Sequence, residues 1–338
     1  MLRIAGGPGR LRPHLKTHKL PQCVALQVAA GIFKAKVATI AEAEMAAAEG
    51  VRDILLAMQP VGPQAARLAR LALRYPGVEF SAIVDEPMAL DGLVEANRRE
   101  GVSGLGVWVD LDVGQHRTGV LPGPLAVELI DRILADGRVK FRGLHAYDGH
   151  LGIADPTTRE RACHESYSAV EALCRKLEER GVPVPAIVAG GSPTFAIHAR
   201  RPGVELSPGT TLFWDAGYAG KLPDLPFEPA VFLVGRVVSR PGADHICLDL
   251  GHKAVGSEMP HPRVVFPGLP DAEAVSHSEE HLVLRTAMAG KMPVGTVVMG
   301  IPWHVCPTVA LHQEAWVVRD GVVMDRWTVL ARARRLTE

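Results

Sequence analysis

From Arg10 to Leu206 short apolar runs alternate with longer amphipathic stretches, several of which open on proline. This alternation restricts the possible folds more than any other feature of the chain. Pro21–Ala30, Ile40–Glu49, Pro63–Arg74, Pro87–Arg99, Pro122–Ala135 and Thr157–Arg180 read as helices, with a short one at Phe195–Ala199. Proline suits a first helical turn because the N–H it lacks would have no intrahelical partner there. Phe33–Thr39, Asp53–Met58, Val78–Val84, Leu105–Val113, Arg142–Tyr147, Val184–Ala189 and Val204–Leu206 read as strands. With the opening run Arg10–Lys19 taken as the first, eight strands alternate with helices over about 210 residues, the pattern and span of a (β/α)8 barrel. The rival arrangement, an open doubly wound sheet, normally carries a glycine-rich turn after its first strand. Thr17-His18-Lys19-Leu20-Pro21 stands there instead.

Beyond Pro229 the texture changes. Val231–Val238, His245–Leu250, Arg263–Phe266, His281–Arg285, Thr296–Met299 and Ala315–Val318 are short, valine-rich and separated by Gly and Pro turns, which predicts a separate β domain. Lys221-Leu222-Pro223-Asp224-Leu225-Pro226 is the expected linker, so the barrel takes residues 1–222 and the β domain residues 223–338. The 37 basic residues balance 37 acidic ones, which gives no global field for nucleic acid or an anionic membrane and points to a small-molecule ligand. No apolar run reaches the ~20 residues of a membrane helix. Gly6 and Gly7 break any signal-peptide core, and a cytoplasmic location is expected. Five scattered cysteines, Cys23, Cys163, Cys174, Cys247 and Cys306, argue against a disulfide framework.

Ligand-binding groups of such a barrel lie on the loops after its strands, and phosphate is typically held after the seventh and eighth. Ala189-Gly190-Gly191-Ser192-Pro193-Thr194 follows the seventh strand and Ser207-Pro208-Gly209-Thr210-Thr211 the eighth. Glycine lets backbone amides approach an anion closely, and Ser and Thr hydroxyls add donors. Either loop alone reads more readily as an ordinary turn; the two together suggest a phosphate. A phosphate combined with a lysine in Arg10-Leu11-Arg12-Pro13-His14-Leu15-Lys16-Thr17-His18-Lys19 suggests pyridoxal phosphate, whose aldehyde needs an amine. On its residues alone this run also reads as a solvated basic arm, and spacing leaves Lys16 and Lys19 as rivals. His304 and Cys306, in Pro302-Trp303-His304-Val305-Cys306-Pro307-Thr308, stand two apart. In an extended segment both project to one face and could ligate Zn²⁺, although an isolated pair of this kind is more often structural. Arg117, after the fifth strand, suits a carboxylate or a cofactor oxygen, or a surface salt bridge. Tyr147 and His150, after the sixth, suit proton transfer or contact with a cofactor ring, with core packing and loop capping as the plain readings.

The Arg-Pro-His-x-Lys-Thr-His-Lys opening, the Gly-Gly-Ser-Pro-Thr and Pro-Gly-Thr loops and the His-Val-Cys-Pro-Thr segment together resemble the D-threonine aldolase and D-serine dehydratase family. These are fold-type III pyridoxal phosphate enzymes, relatives of alanine racemase, and the resemblance covers nearly the whole chain. It implies that Lys16 carries the cofactor as an imine and that Gly190, Gly191, Ser192, Thr194, Gly209 and Thr210 contact its phosphate. It further implies a cofactor contact for Arg117 and a divalent metal, Zn or Mn, held by His304 and Cys306 beside the cofactor, while Tyr147 and His150 are catalytic candidates by their position after the sixth strand. The implied activity is that of a lyase on D-3-hydroxy amino acids: cleavage of D-threonine to glycine and acetaldehyde, or, as the alternative, dehydration of D-serine to pyruvate and ammonia. Aldolases of the family often have Asp where Cys306 stands, which keeps the dehydratase reading open. A racemase or a non-catalytic pyridoxal phosphate-binding protein would leave His304 and Cys306 without a task. Asp249–Lys253 and Ser278–His281 also resemble family segments, with His281 a further residue expected to approach the metal. The resemblance implies a homodimer. It also implies that a strand and helix usual ahead of the lysine segment are absent from a chain with nine residues before Arg10.

Overall fold

The computed structural model describes residues 1–335 and Thr337. By contacts the chain divides into two compact units, Met1–Gly209 with 333–335, and Thr210–Arg332. The stretch Thr210–Lys221, which composition groups with the barrel, belongs to the second unit. Its helix Ala216–Lys221 packs there on a β-strand, with the Gly217 amide donating to the Trp303 carbonyl at 3.0 Å.

The first unit is a parallel ring. Strands β1 (Lys34–Val37), β2 (Asp53–Leu56), β3 (Glu79–Val84), β4 (Leu105–Leu111), β5 (Val139–Ala146), β6 (Ile187–Ala189) and β7 (Val204–Leu206) pair in sequence order, all parallel. The opening segment lies between β7 and β1. The Arg12 amide donates to the Leu206 carbonyl at 2.8 Å, and the Lys36 amide donates to the Pro13 carbonyl at 2.9 Å. Leu11 thereby faces Leu206 and His14 faces Lys36, which completes the (β/α)8 barrel. The run expected as a full first strand is instead two isolated bridges followed by a 3-10 turn, Leu15–Thr17. Pro13 has no N–H for a ladder, and the His14 side chain accepts the Lys16 amide, which curls the chain at the residue where an extended strand was expected.

Helices Pro21–Ala29, Ile40–Ala48, Pro63–Arg74, Pro87–Glu100, Pro124–Ala135 and Pro156–Glu179 follow the strands much as expected. Five of the six start on proline, and Thr39, Glu86 and Asp155 accept amides of the first turns they precede. Gly143 sits inside β5 at φ +127°, where a Cβ would stand 1.9 Å from the Ala186 carbonyl oxygen. Glycine therefore permits the close β5–β6 approach.

The barrel interior has an apolar layer and an ionic one. Leu55, Ile83, Trp108 and Val188 pack together, with the Trp108 indole donating to Ser81 Oγ at 3.0 Å. Arg12, fully buried, makes two bonds to the Asp53 carboxylate at 2.8 and 2.7 Å and one to Glu205 at 2.6 Å. Arg142 adds a 2.9 Å bond to Asp53 and Lys34 pairs with Glu205. Asp53 and Lys34 open β2 and β1, so Arg12 serves the N-terminal end of the ring, opposite the end from which the loops after the strands emerge.

The second unit is antiparallel. Strands β8 (Leu233–Gly242), β9 (His245–Leu248), β10 (Val264–Val265), β11 (Glu273–His277), β12 (Leu282–Arg285) and β13 (Val297–Pro302) form one sheet in the order β10-β13-β8-β9-β12-β11. Val237, Ile246, Leu248, Phe266, Leu282 and Leu284 are central to its core. A separate hairpin joins β14 (Glu314–Arg319) to β15 (Val322–Thr328). β11 and β15 were not expected from the sequence, because neither has the regular buried alternate face that marks a strand. No helix among the described residues is long and apolar enough to cross a membrane.

Candidate active site

The opening motif is a clamp around one lysine. Burial, then the charges of Lys16 and Lys36, push His14 well below its ordinary value, so it is neutral and accepts the Lys16 amide. Burial likewise takes His18 down to about 3, and its Nδ1 accepts the Leu20 amide at 3.1 Å. Lys19 forms an ion pair with Glu42, which is fully buried and also accepts the Ala38 amide at 2.7 Å. Lys16 is half-buried on the 3-10 turn and has no ion pair among the described residues.

Around it the strand ends bring together groups that sequence reasoning did not single out. Lys36, buried near the end of β1, lies with its amine 3.4 Å from His145 Nε2, and His145 Nδ1 lies 2.6 Å from Asp110. Asp110 also accepts the Thr118 hydroxyl at 2.9 Å. Burial, reinforced by Lys16, lowers Lys36 to about 7, against the opposing pull of Asp110 and Asp148. The second lysine of the strand-length run Phe33-Lys34-Ala35-Lys36-Val37-Ala38 was the available signal. Tyr147 stands by the same groups: its ring centre is 5.1 Å from the Lys36 amine and 5.1 Å from the Arg117 guanidinium carbon. Arg117 itself is exposed. His150 is exposed too, over Gly114, where an added Cβ would lie 3.1 Å from its Nε2.

The loop after β6 is held from behind. Asp148, buried, accepts the Gly191 amide at 3.1 Å and the Thr194 hydroxyl at 2.8 Å through one oxygen, and contacts His198 Nε2 at 2.8 Å through the other. Burial pushes the Asp148 carboxyl up, but His198, Thr194 and Gly191 outweigh it and leave it below its ordinary value. Cys163 lies 3.4 Å from His198 Nε2, so Asp148, Cys163 and His198 are near enough to hold a cation. Arg201 stands 3.2 Å from the other ring nitrogen of His198 and places a positive charge beside them, which favours reading the group as a loop anchor. Ser192 Oγ accepts the Gly209 amide at 3.3 Å and so ties the two loops together. Ser207 Oγ, buried in the turn after β7, has no hydrogen-bond partner among the described residues.

In the second unit His304 precedes the helix Val305–Leu311, and Cys306 lies in its first turn rather than in an extended segment. The two side chains still meet. Burial disfavours the His304 charge, but hydrogen bonding and attraction from Cys306 and then Glu258 prevail and raise it to about 9. Glu258 takes His304 Nδ1, the carboxylate partner common beside a metal-bound histidine. Thr210 Oγ1 is 3.8 Å from Cys306 Sγ. Asp215, which sequence reading passed over, accepts the Val305 amide at 3.1 Å and fixes the start of this helix. The Asp249–Lys253 and Ser278–His281 segments pack on each other, through a 2.9 Å bond from the His252 amide to the Ser278 carbonyl and a 2.7 Å ion pair of Lys253 with Glu279. All five cysteines are free thiols.

A parallel barrel closed by the opening segment, followed by an antiparallel unit, is the alanine racemase-like fold. The sequence model of the alanine racemase N-terminal domain matches residues 1–216, and that of the putative serine dehydratase domain matches residues 230–318. The D-threonine aldolase of Arthrobacter sp is 33% identical over 329 residues, covering 95% of this chain and 85% of that one. The D-threo-3-hydroxyaspartate dehydratase of Delftia sp. is 28% identical over 331 residues, covering 88% and 84%. The crystal structure of D-threonine aldolase from Filomicrobium marinum superposes with a TM-score of 0.92 at 29% identity, covering 98% of this chain and 91% of that one. The chain belongs to the D-threonine aldolase and D-serine dehydratase family of alanine racemase-like proteins.

Proposed function

We propose that this chain is a pyridoxal phosphate- and divalent-metal-dependent lyase that cleaves the Cα–Cβ bond of D-3-hydroxy amino acids of the D-threonine type. The contrast between its two lysines carries the reading: Lys19 is committed to Glu42, whereas Lys16, on the 3-10 turn three residues earlier, has no ion pair among the described residues. The Ser207 hydroxyl, without a hydrogen-bond partner among the described residues, fits a phosphate in the turn where one is expected. Pyridoxal phosphate, when bound, supplies an electron-withdrawing ring for bond cleavage at Cα, and a divalent cation supplies a Lewis acid for a β-hydroxyl.

In this reading Lys16 holds the cofactor carbonyl carbon, and Ser192, Ser207, Gly209 and Thr210 hold its phosphate. Gly190 gives the loop its positive φ of 80°, and Gly191 and Thr194, engaged by Asp148, order it. Tyr147 and Arg117 form a wall, with Arg117 free to turn toward a carboxylate. Neutral His145, oriented by Asp110, shares its Nε2 with the Lys36 amine 3.4 Å away. His304 and Cys306 offer one nitrogen and one sulfur to a cation, leaving positions for water and substrate oxygen. His150 remains a candidate for proton transfer at the rim.

Cys306 favours a second reading, dehydration, because a thiolate in that position is the family's more usual dehydratase residue. The test is to purify the protein with pyridoxal phosphate and Mn²⁺ or Zn²⁺, add D-threonine and separate the products. Glycine with acetaldehyde establishes the aldolase; 2-oxobutanoate with ammonia establishes the dehydratase instead. Retained cofactor without product would overturn both for this substrate. The same reading makes a homodimer the expected assembly, which light scattering will test.

A further inference from the structure

We propose that Lys36 is a positioning residue that acts through Lys16, its amine setting the pH range over which the nitrogen joined to the cofactor holds a proton. This inference rests on the reading of Lys16 given above.

Lys36 is the backbone partner of His14, two residues ahead of Lys16, and its amide is bonded to the carbonyl of Pro13. The residue is 1% exposed. The other enclosed cations of the ring each have a carboxylate, Arg12 with Asp53 and Glu205, Lys19 with Glu42. Lys36 has none within ion-pair distance among the described residues; its nearest polar partner is the imidazole of His145, itself held by Asp110. Burying an amine without a carboxylate opposes folding, and an apolar side chain of similar length would fill the same space without that cost. Packing therefore gives no reason for a lysine here.

The groups facing it supply one. Lys16 and His14 face it from the opening segment, Asp110 from β4, Arg117 from the following loop, His145 from β5 and Asp148 from the loop after β5. Two of these six, Lys16 and Arg117, carry charges that oppose a proton on Lys36, and burial, the larger cause, acts in the same direction, which places its titration at about 7. Coupling between two charged sites is reciprocal. A proton on Lys36 must disfavour a proton on the nitrogen of Lys16 by the same free energy with which Lys16 disfavours one on Lys36.

The experiment follows the visible absorbance of cofactor bound at Lys16 in the holoprotein as pH is varied, for the wild type, Lys36→Met and Lys36→Arg. Removing the competing amine is expected to move the midpoint up, and fixing a permanent charge to move it down, each by roughly one pH unit. Loosened packing would not move the two variants in opposite directions. Unmoved midpoints, or displacement in one direction for both, overturn the proposal. If circular dichroism shows that Lys36→Arg does not fold, Lys36→Met and Lys36→Gln decide, since both are neutral and must give the same upward displacement. Borohydride trapping and peptide mass spectrometry separate this inference from the reading beneath it. Label on Lys16 with unmoved midpoints overturns the role of Lys36 alone, whereas label elsewhere or none overturns both.

Discussion

Lys19 and Glu42 form an ion pair in which the carboxylate is fully enclosed, and this pairing separates the two lysines of the opening motif into a structural one and an available one. Replacing Lys19 with Ala leaves a buried, unpaired carboxylate, and stability should fall by about 3–5 kcal/mol. Lys16→Ala should leave the denaturation midpoint within experimental error of wild type and abolish both the visible cofactor band and turnover. Chemical denaturation and absorbance spectra of the two variants, measured side by side, check both halves.

The ionic layer at the far end of the barrel makes a purely structural prediction. Arg12 is enclosed between Asp53 and Glu205, so Asp53→Ala removes two of its three carboxylate bonds while the guanidinium stays buried. A loss of about 3 kcal/mol is expected, seen as a lower urea midpoint with an unchanged slope. Cofactor binding by the variant, at temperatures where it is folded, should be unchanged.

Asp148 makes a pH prediction. Burial raises its carboxyl, but the bonds from His198, Thr194 and Gly191 lower it further, to a value below the ordinary 3.8. A depressed carboxyl stabilises the fold above its unfolded value, and that contribution disappears as pH falls through the folded one. Thermal midpoints of the wild type should therefore drop below about pH 4, where those of Asp148→Asn should vary less. At neutral pH the variant should be the less stable of the two and should bind inorganic phosphate more weakly, since the loop after β6 loses its anchor.

His304 and Cys306 separate metal dependence from cofactor binding. His304→Ala and Cys306→Ala should retain the visible cofactor band and lose turnover at least about 100-fold, the scale of losing a metal-held electrophile. Chelation of the wild type should do the same, and Mn²⁺ or Zn²⁺ should restore it. A His304→Ala protein that turns over normally after chelation would remove the metal from the proposed function.

Much of the barrel is legible in the chain because its signals are local. Proline at the helix starts and apolar runs of strand length place six helices and seven strands to within a few residues. The opening segment is the exception. Its polarity and its lysine suggest a strand only by analogy of position, and Pro13 with His14 turns it into two bridges and a 3-10 turn. The phosphate loops are visible as glycine and hydroxyl clusters, but the carboxylate behind them is not, because Asp148 lies 43 positions from the Gly191 amide it accepts. Lys36 was overlooked for a related reason: its neighbour His145 is 109 positions away, and nothing local separates Lys36 from Lys34 in the same strand until the strands close around it.

The order of strands and helices, and the presence of two lysines, two histidines and two glycine-rich loops at the places a barrel would use, were settled by the amino-acid sequence, since backbone preference and side-chain period act over a few residues. Which lysine is left available, which histidines are neutral and which loop donors are already engaged were settled by the folded arrangement. Those properties depend on burial and on partners such as Glu42, 23 positions from Lys19, that only chain closure brings within hydrogen-bond distance.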